Sequence, residues 1–182
     1  SQYKALSRTM NLPDAKILEI IPSPQGLIHI VDSKYIRPAP GLSLSYQGVI
    51  PSELAFFRNG NAYTSLSKEP KLSSEILQAT PEGFAYVHAP KKVLILHSNI
   101  KAAELCLINT ADEVSLLESH KNVFQAVKSR WTNAHKVNYL HIEARAYINN
   151  PPHRNYDIIH FPAVGEFGGN IGLGAMEEQF LY

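Results

Sequence analysis

The fold of this chain is decided by residues 92–118, which read KVLILHSNIKAAELCLINTADEVSLLE. Val93–His97 and Val114–Glu118 are short apolar runs of strand length. Between them Asn99 is a favoured helix cap, and the pattern that follows predicts a helix over residues 100–108. A strand, a helix and a second strand in this order form a right-handed βαβ unit, so the two strands are expected to be parallel.

The alternation continues towards the C-terminus. We predict a helix over residues 120–130, a third strand over Val137–Ile142 and a fourth over Tyr156–Phe161. Repeated βαβ units give an α/β fold in which helices cover both faces of a parallel sheet. We expect at least four strands, with the Val93 strand in the centre.

The N-terminal third has a different pattern. Helical spacing over residues 2–10 is followed by two pairs of β-branched or aromatic runs. The first pair flanks the turn at residues 22–26, and the second flanks Asn59-Gly60, a strong hairpin signal. The predicted strands are Lys16–Ile21, Leu27–Asp32, Ala55–Arg58 and Asn61–Leu66. We therefore expect a small antiparallel β-subdomain over about 14–66, within a first domain of residues 1–72.

Composition narrows the classes of function. The net charge is +1 and the basic residues are scattered, which argues against a nucleic-acid partner. The single cysteine, Cys106, lies in an apolar stretch and is predicted to be a buried small hydrophobe in a reducing, cytoplasmic compartment. No apolar run has the length that spans a bilayer, so we expect no membrane contact by this chain itself. Because the chain begins at Ser1 and ends at Tyr182 within a pattern, we expect it to be part of a longer protein.

Ligands of open parallel sheets bind beyond the carboxyl ends of the strands, so the candidate residues lie there. They are His97, Ser98 and Asn99 after the first strand, Glu118 at the end of the second, and Glu143 and Arg145 after the third. Glu118 can accept hydrogen bonds from ribose hydroxyls or can be a solvated strand-end acid. Glu143 and Arg145 can form a surface pair, and His97 can be an acid, a base or a structural residue. The histidines show no metal-binding spacing, so no metal site is predicted.

The order of these segments resembles the spermidine-synthase-like branch of the S-adenosylmethionine-dependent transferases. The resemblance rests on Lys92–Leu96, Val114–Glu118, Val137–Arg145 and Tyr156–Phe161, and on Arg37-x-Ala-Pro-Gly-Leu-Ser-Leu44 and Gly172–Tyr182, which resemble signatures of bacterial domains often fused to membrane segments. It implies a Rossmann-like, methyltransferase-type sheet preceded by a small antiparallel β-subdomain. It also implies that the second domain, residues 73–182, is incomplete at its C-terminus. The fourth strand is then left as an edge, which either self-association or the Gly165–Tyr182 segment would cover.

The resemblance further implies S-adenosylmethionine or a related nucleoside as the ligand. Glu118 would bind the ribose, and Glu143 would meet the adenine amino group. His97, Ser98 and Asn99 occupy the cofactor loop, where the family has glycines, and Pro162 occupies the position of the catalytic aspartate. Proline cannot act as a general base, so no catalytic residue is assigned.

These departures lead us to expect a degenerate transferase domain retained for nucleoside binding or for assembly. One alternative is an active aminopropyl- or methyltransferase that uses another acid, such as Glu166, as its base. A second alternative is a scaffolding module without a small ligand. An open crevice after the first strand would favour the ligand-binding readings, and a filled crevice would favour the scaffold. The expected partners are a nucleoside-type ligand, a second copy of the chain or the rest of a longer protein. The expected location is the cytoplasm, either free or attached to a membrane through another part of the protein.

Overall fold

The N-terminal half folds as an antiparallel sheet with one helix beside it. The structure is a computed structural model that describes residues 4–37, 42–69, 75–97, 99–109, 111–150 and 155–161. Helix α1 (Ala5–Thr9) precedes four strands, which pair in sequence order: β1 (Lys16–Ser23), β2 (Gly26–Asp32), β3 (Glu53–Arg58) and β4 (Asn61–Ser67). Both predicted hairpins are present. Asn59 and Gly60 have φ values of 52° and 81°, the backbone that a tight two-residue hairpin turn requires.

The C-terminal half forms a separate four-stranded parallel sheet. Its elements are α2 (Pro81–Phe84), β5 (Lys92–Ile95), α3 (Ile100–Ile108), β6 (Glu113–Leu117), α4 (Lys121–Lys128), a 3₁₀ helix (Thr132–Lys136), β7 (Asn138–Leu140), α5 (Ala144–Asn149) and β8 (Ile158–His160). The strand order is β7-β6-β5-β8, and all three pairings are parallel. The predictions of a parallel sheet and of an inner Val93 strand are confirmed.

Three strands of the parallel sheet are shorter than the sequence predicts. The first ends at Ile95 rather than His97, the third covers only Asn138–Leu140, and the fourth covers only Ile158–His160. At the first strand the reason is visible in the backbone. His97 has a φ of +73°, which is outside the extended region, so the chain turns away from the sheet there.

Side-chain alternation along β5 explains why the parallel sheet is covered on both faces. Val93 and Ile95 point to one face, where they join a core cluster with residues of α3 and α4. Leu94 points to the other face and packs in a second cluster with residues of α5. A strand buried on both faces needs a continuous apolar run, which is what the sequence has at residues 93–96.

The antiparallel sheet packs between α1 and the rest of the molecule. Ile30 and Phe56 point inward and belong to the same core cluster as Val93 of the parallel sheet. Val31 and Phe57 point to the opposite face of the sheet, where they are also buried and pack with residues of α1. The predicted boundary between residues 72 and 73 lies outside the described residues, and that division of the chain stays a prediction.

Within the described ranges, no helix combines the length and the apolar character needed to cross a membrane.

Candidate functional site

The candidate site lies where the parallel sheet reverses its strand order. From β5 the chain adds β6 and then β7 on one side, and it returns to place β8 on the other side of β5. In open α/β sheets, ligands bind at the carboxyl ends of the strands beside such a reversal. The residues that follow β5, β6 and β8 therefore define the candidate site.

Three side chains bridge the ends of β5 and β8. The Asn99 side chain accepts a hydrogen bond from the backbone N–H of Ala102 at 3.1 Å, which confirms the predicted cap of α3. That bond orients the amide, so Nδ2 of Asn99 donates to Nε2 of His160 at 3.3 Å. Nδ1 of His160 then carries the proton and donates to the hydroxyl of Tyr86 at 3.0 Å. Tyr86 is buried, and its ring is stacked on the imidazole.

The loop after β5 has a backbone conformation that favours glycine at a position occupied by a histidine. His97 has a left-handed backbone, and its carbonyl accepts a hydrogen bond from the N–H of Asn99 at 2.8 Å. A Cβ atom is unfavourable in this region, which is why tight ligand-binding turns use glycine. Ser98, the third candidate in this loop, lies outside the described residues.

Glu118 is the most deeply buried polar group of the site, with 0% of its surface exposed. Its two carboxylate oxygens each lie 3.0 Å from the hydroxyl of Tyr63, which donates to them. The backbone N–H of His120 donates to Oε1 at 2.6 Å. The alternative of a solvated strand-end acid is therefore wrong. The reason is that β4 of the antiparallel sheet covers the end of β6, an arrangement that the local pattern does not reveal.

His120 and Arg58 form a second set of contacts around Tyr63. Nη1 of Arg58 donates to Nε2 of His120 at 2.7 Å, so Nδ1 carries the imidazole proton and donates to Oε1 of Gln25 at 3.1 Å. The Arg58 guanidinium also lies over the Tyr63 ring, 4.8 Å from its centroid. These contacts connect the antiparallel sheet to the carboxyl edge of the parallel sheet.

The environment of His120 favours its neutral form. Burial lowers the pKa of the imidazole below its ordinary value of 6.5. The positive charge of Arg58, and that of His97 and His141 when they are protonated, lower this pKa further. Three histidines therefore lie near one another at this edge.

Glu143 lies apart from this buried network. It is exposed at the position before α5, and its side chain does not cap that helix. Arg145 is exposed as well, as a surface pair would be. The preceding loop is held near the end of β6, because Nε2 of His141 lies 3.0 Å from the carbonyl of Ser119. Glu143 follows His141 by two residues, and His141 contacts Ser119 beside the site. The role of Glu143 in the site stays a prediction.

Two other titratable groups, the Cys106 thiol and the Asp157 carboxylate, have environments that indicate a structural role. Cys106 is fully buried, and burial raises the pKa of its thiol to about 12, so the prediction of a buried small hydrophobe is confirmed. Asp157 lies at the opposite, amino-terminal edge of β5. Its carboxylate accepts hydrogen bonds from the backbone N–H groups of Lys91 and Lys92 at 2.7 and 2.9 Å. Pro162 and Glu166, which bear on the catalytic base, lie outside the described residues.

The sequence predicted candidate residues at the strand ends of the parallel sheet, but it did not predict the residues that contact them from the antiparallel sheet. It identified His97, Asn99 and Glu118 from their positions at strand ends. It did not identify Tyr63, Arg58 or His120, of which the first two belong to the antiparallel sheet. Tyr63 and Glu118 are 55 positions apart, and no local signal links them.

Compared with models of known protein families and with curated protein sequences, the chain matches none.

Proposed function

We propose that this chain is a spermidine-synthase-like domain with a Rossmann-like, methyltransferase-type sheet that binds a nucleoside-type ligand but does not catalyse transfer. The observation that carries the proposal is the fully buried carboxylate of Glu118 at the carboxyl end of β6. Burying a carboxylate is costly unless it is hydrogen-bonded, and an apolar residue there would be less costly for a purely structural domain. The presence of the acid at this position is consistent with a role in which Glu118 binds ribose hydroxyls.

Two further features support a nucleoside site. The strand order reverses beside β5, and the backbone of His97 has the left-handed turn that such a loop uses. S-adenosylmethionine, its decarboxylated form and methylthioadenosine share a ribose with two vicinal hydroxyls, which can donate to one carboxylate. In the same proposal, Glu143 accepts a hydrogen bond from the adenine amino group.

In this proposal, the absence of transfer chemistry is supported by the environments of two acids in the part of the chain that the structure describes. Aminopropyl transfer needs a group that accepts a proton from the attacking amine. The buried carboxylate of Glu118 already accepts bonds from Tyr63 and His120, and Asp157 lies at the other edge of the sheet. The position that the family gives to the catalytic aspartate is Pro162.

The test is a thermal-shift titration with the three nucleosides, joined to an assay of aminopropyl transfer to putrescine. A ligand that binds the native state raises the melting temperature by mass action. We expect a shift with at least one nucleoside, loss of that shift in Glu118→Gln, and no transfer. Glu75→Gln, which makes the same change at an exposed position, should keep the shift. Measurable transfer would contradict the proposal and favour the active transferase.

Assembly without a small ligand is the second candidate function. It is favoured by the hydrogen bonds of Asn99, His160 and Tyr86, which already join the ends of β5 and β8 without a ligand. If none of the three nucleosides changes the melting temperature, the ligand-binding proposal fails and the assembly function is the better account.

A further inference from the structure

Tyr63 makes a contact that spans the two sheets. It belongs to β4 of the antiparallel sheet, and its hydroxyl reaches both oxygens of Glu118, which follows β6 of the parallel sheet. The two distances are equal at 3.0 Å, so the hydroxyl is placed to donate to either oxygen. A hydroxyl that donates to a buried carboxylate is also the interaction that a ribose hydroxyl would make with Glu118.

The Tyr63 ring is held in place by groups that do not depend on its hydroxyl. The Arg58 guanidinium lies 4.8 Å from the ring centroid on one face. The imidazole of His120 meets the ring edge-on, with centroids 5.8 Å apart. Glu118 has no exposed surface, and the Tyr63 hydroxyl contacts both of its oxygens, so a ligand hydroxyl can take that position only after the tyrosine hydroxyl moves aside.

We infer that Tyr63 is an intramolecular latch: in the absence of ligand its hydroxyl occupies the position of the ribose hydroxyls at Glu118 and competes there with those hydroxyls alone. This inference rests on the proposed nucleoside function and adds a regulatory contact to it. The chain exists in a closed form, with the Tyr63–Glu118 hydrogen bond, and an open form in which Glu118 is accessible. For a ligand whose hydroxyls bind Glu118, the apparent dissociation constant then equals the intrinsic constant divided by the open fraction.

Removal of the hydroxyl alone should favour the open form. Tyr63→Phe keeps the ring contacts with Arg58 and His120 and deletes the donor to Glu118. A hydrogen bond to a charged group is strong enough to change a binding constant by about tenfold or more. Arg58→Met is a second variant. It removes the guanidinium from the Tyr63 ring, and also its hydrogen bond to Nε2 of His120, while the Tyr63 hydroxyl and the Glu118 carboxylate both remain. It should act in the same direction by a smaller factor.

The experiment is isothermal titration calorimetry with adenosine and 2′,3′-dideoxyadenosine as probes. We expect Tyr63→Phe to bind adenosine about tenfold more tightly than the wild type, or more. Dideoxyadenosine lacks both hydroxyls and should bind the two proteins equally. Tyr35→Phe removes a hydroxyl from an exposed tyrosine and should bind adenosine as the wild type does.

Each outcome separates the latch from the proposed function. Equal adenosine affinities for the wild type, Tyr63→Phe and Arg58→Met would overturn the latch and leave nucleoside binding intact. A gain in affinity that is the same for dideoxyadenosine would also overturn it, because the effect would not involve the ribose hydroxyls. If no variant binds adenosine at all, the nucleoside function fails and the latch fails with it.

Discussion

At the scale of single residues, the site combines a strained backbone with buried polar groups. His97 has the left-handed backbone of a glycine, and Glu118 is a carboxylate with no exposed surface. Either feature lowers stability when it is considered alone. Their occurrence at neighbouring strand ends agrees with the tendency of strain and buried charge to concentrate at functional sites.

The strain at His97 predicts an unusual order of stability for two variants. His97→Gly should be more stable than His97→Ala by about 1 kcal/mol, because both lack the imidazole and only alanine has a Cβ at a positive φ. The measurement is the midpoint of urea unfolding. The same pair at Gln125, an exposed position inside α4, should show the opposite order, since glycine is unfavourable within a helix. Equal midpoints at position 97 would contradict the assignment of strain.

His120 predicts a dependence of stability on pH. Its pKa is lowered in the folded state, so between that value and about 6.5 the unfolded chain binds more protons than the folded chain. The free energy of unfolding should therefore fall as the pH decreases from 7.5 to 5.5. His120→Gln, which cannot titrate, should lose less stability over this range. The control is His135→Gln, at an exposed histidine, which should show the same change of unfolding free energy with pH as the wild type. If His120→Gln also loses as much stability as the wild type over this range, the prediction is wrong.

At the scale of elements, the two ends of β5 have different roles. The carboxyl end leads into His97 and the capped helix α3, where the candidate ligand site lies. The amino end is fixed by Asp157, whose carboxylate accepts from two backbone N–H groups and whose own N–H donates to the carbonyl of Lys92 at 2.8 Å. The acid of the Tyr156-Asp157 segment therefore joins β8 to the start of β5.

Asp157 predicts a loss of stability in acid. Its backbone hydrogen bonds with Lys92 and Lys91 lower the pKa of the carboxyl below 3.8. The contribution to stability is present above pH 3.8 and is lost as the pH falls through the lower, folded-state value. Asp157→Asn should unfold at a lower urea concentration at pH 7 and should show a smaller further loss at pH 3. Asp112→Asn, at an exposed position nearby, should match the wild type at pH 7; a similar loss there would mean that the effect is one of net charge.

At the scale of the whole molecule, each sheet ends in a strand that carries at least one exposed isoleucine. β8 ends the described parallel sheet, with Ile159 50% exposed, and β1 ends the antiparallel sheet, with Ile17 41% exposed. Apolar edge strands favour pairing with another chain unless something covers them. The segment from Gly165 to Tyr182, which is the alternative cover for β8, lies outside the described residues.

We predict self-association of the domain through β8. Light scattering should give a mass above that of the monomer, and Ile159→Lys should reduce it to the monomer because a charge opposes edge pairing. Ile17→Lys is the matched control at the other edge and should leave the mass unchanged. If Ile17→Lys alone abolishes association, the interface is at β1; a monomeric wild type would contradict the prediction and favour shielding of β8.

The elements of this protein were determined largely by its sequence. The Asn59-Gly60 turn, the Asn99 cap and the apolar run at residues 93–96 each gave the correct element. The reason is that turn geometry, helix capping and side-chain alternation depend on neighbouring residues along the chain. The inner position of the Val93 strand was also predicted, whereas the order β7-β6-β5-β8 was not.

The contacts of the candidate site were decided only by the tertiary structure. Tyr63 meets Glu118 across 55 positions, Arg58 meets His120 across 62, and Asn99 meets His160 across 61. These pairs form because the antiparallel sheet packs over the carboxyl edge of the parallel sheet and because β8 returns beside β5. The exposure of Glu118 and the partner of each ring nitrogen depend on that packing. Local propensity and spacing do not depend on that packing, so they could not show whether Glu118 is solvated or buried. In the structure it is fully buried.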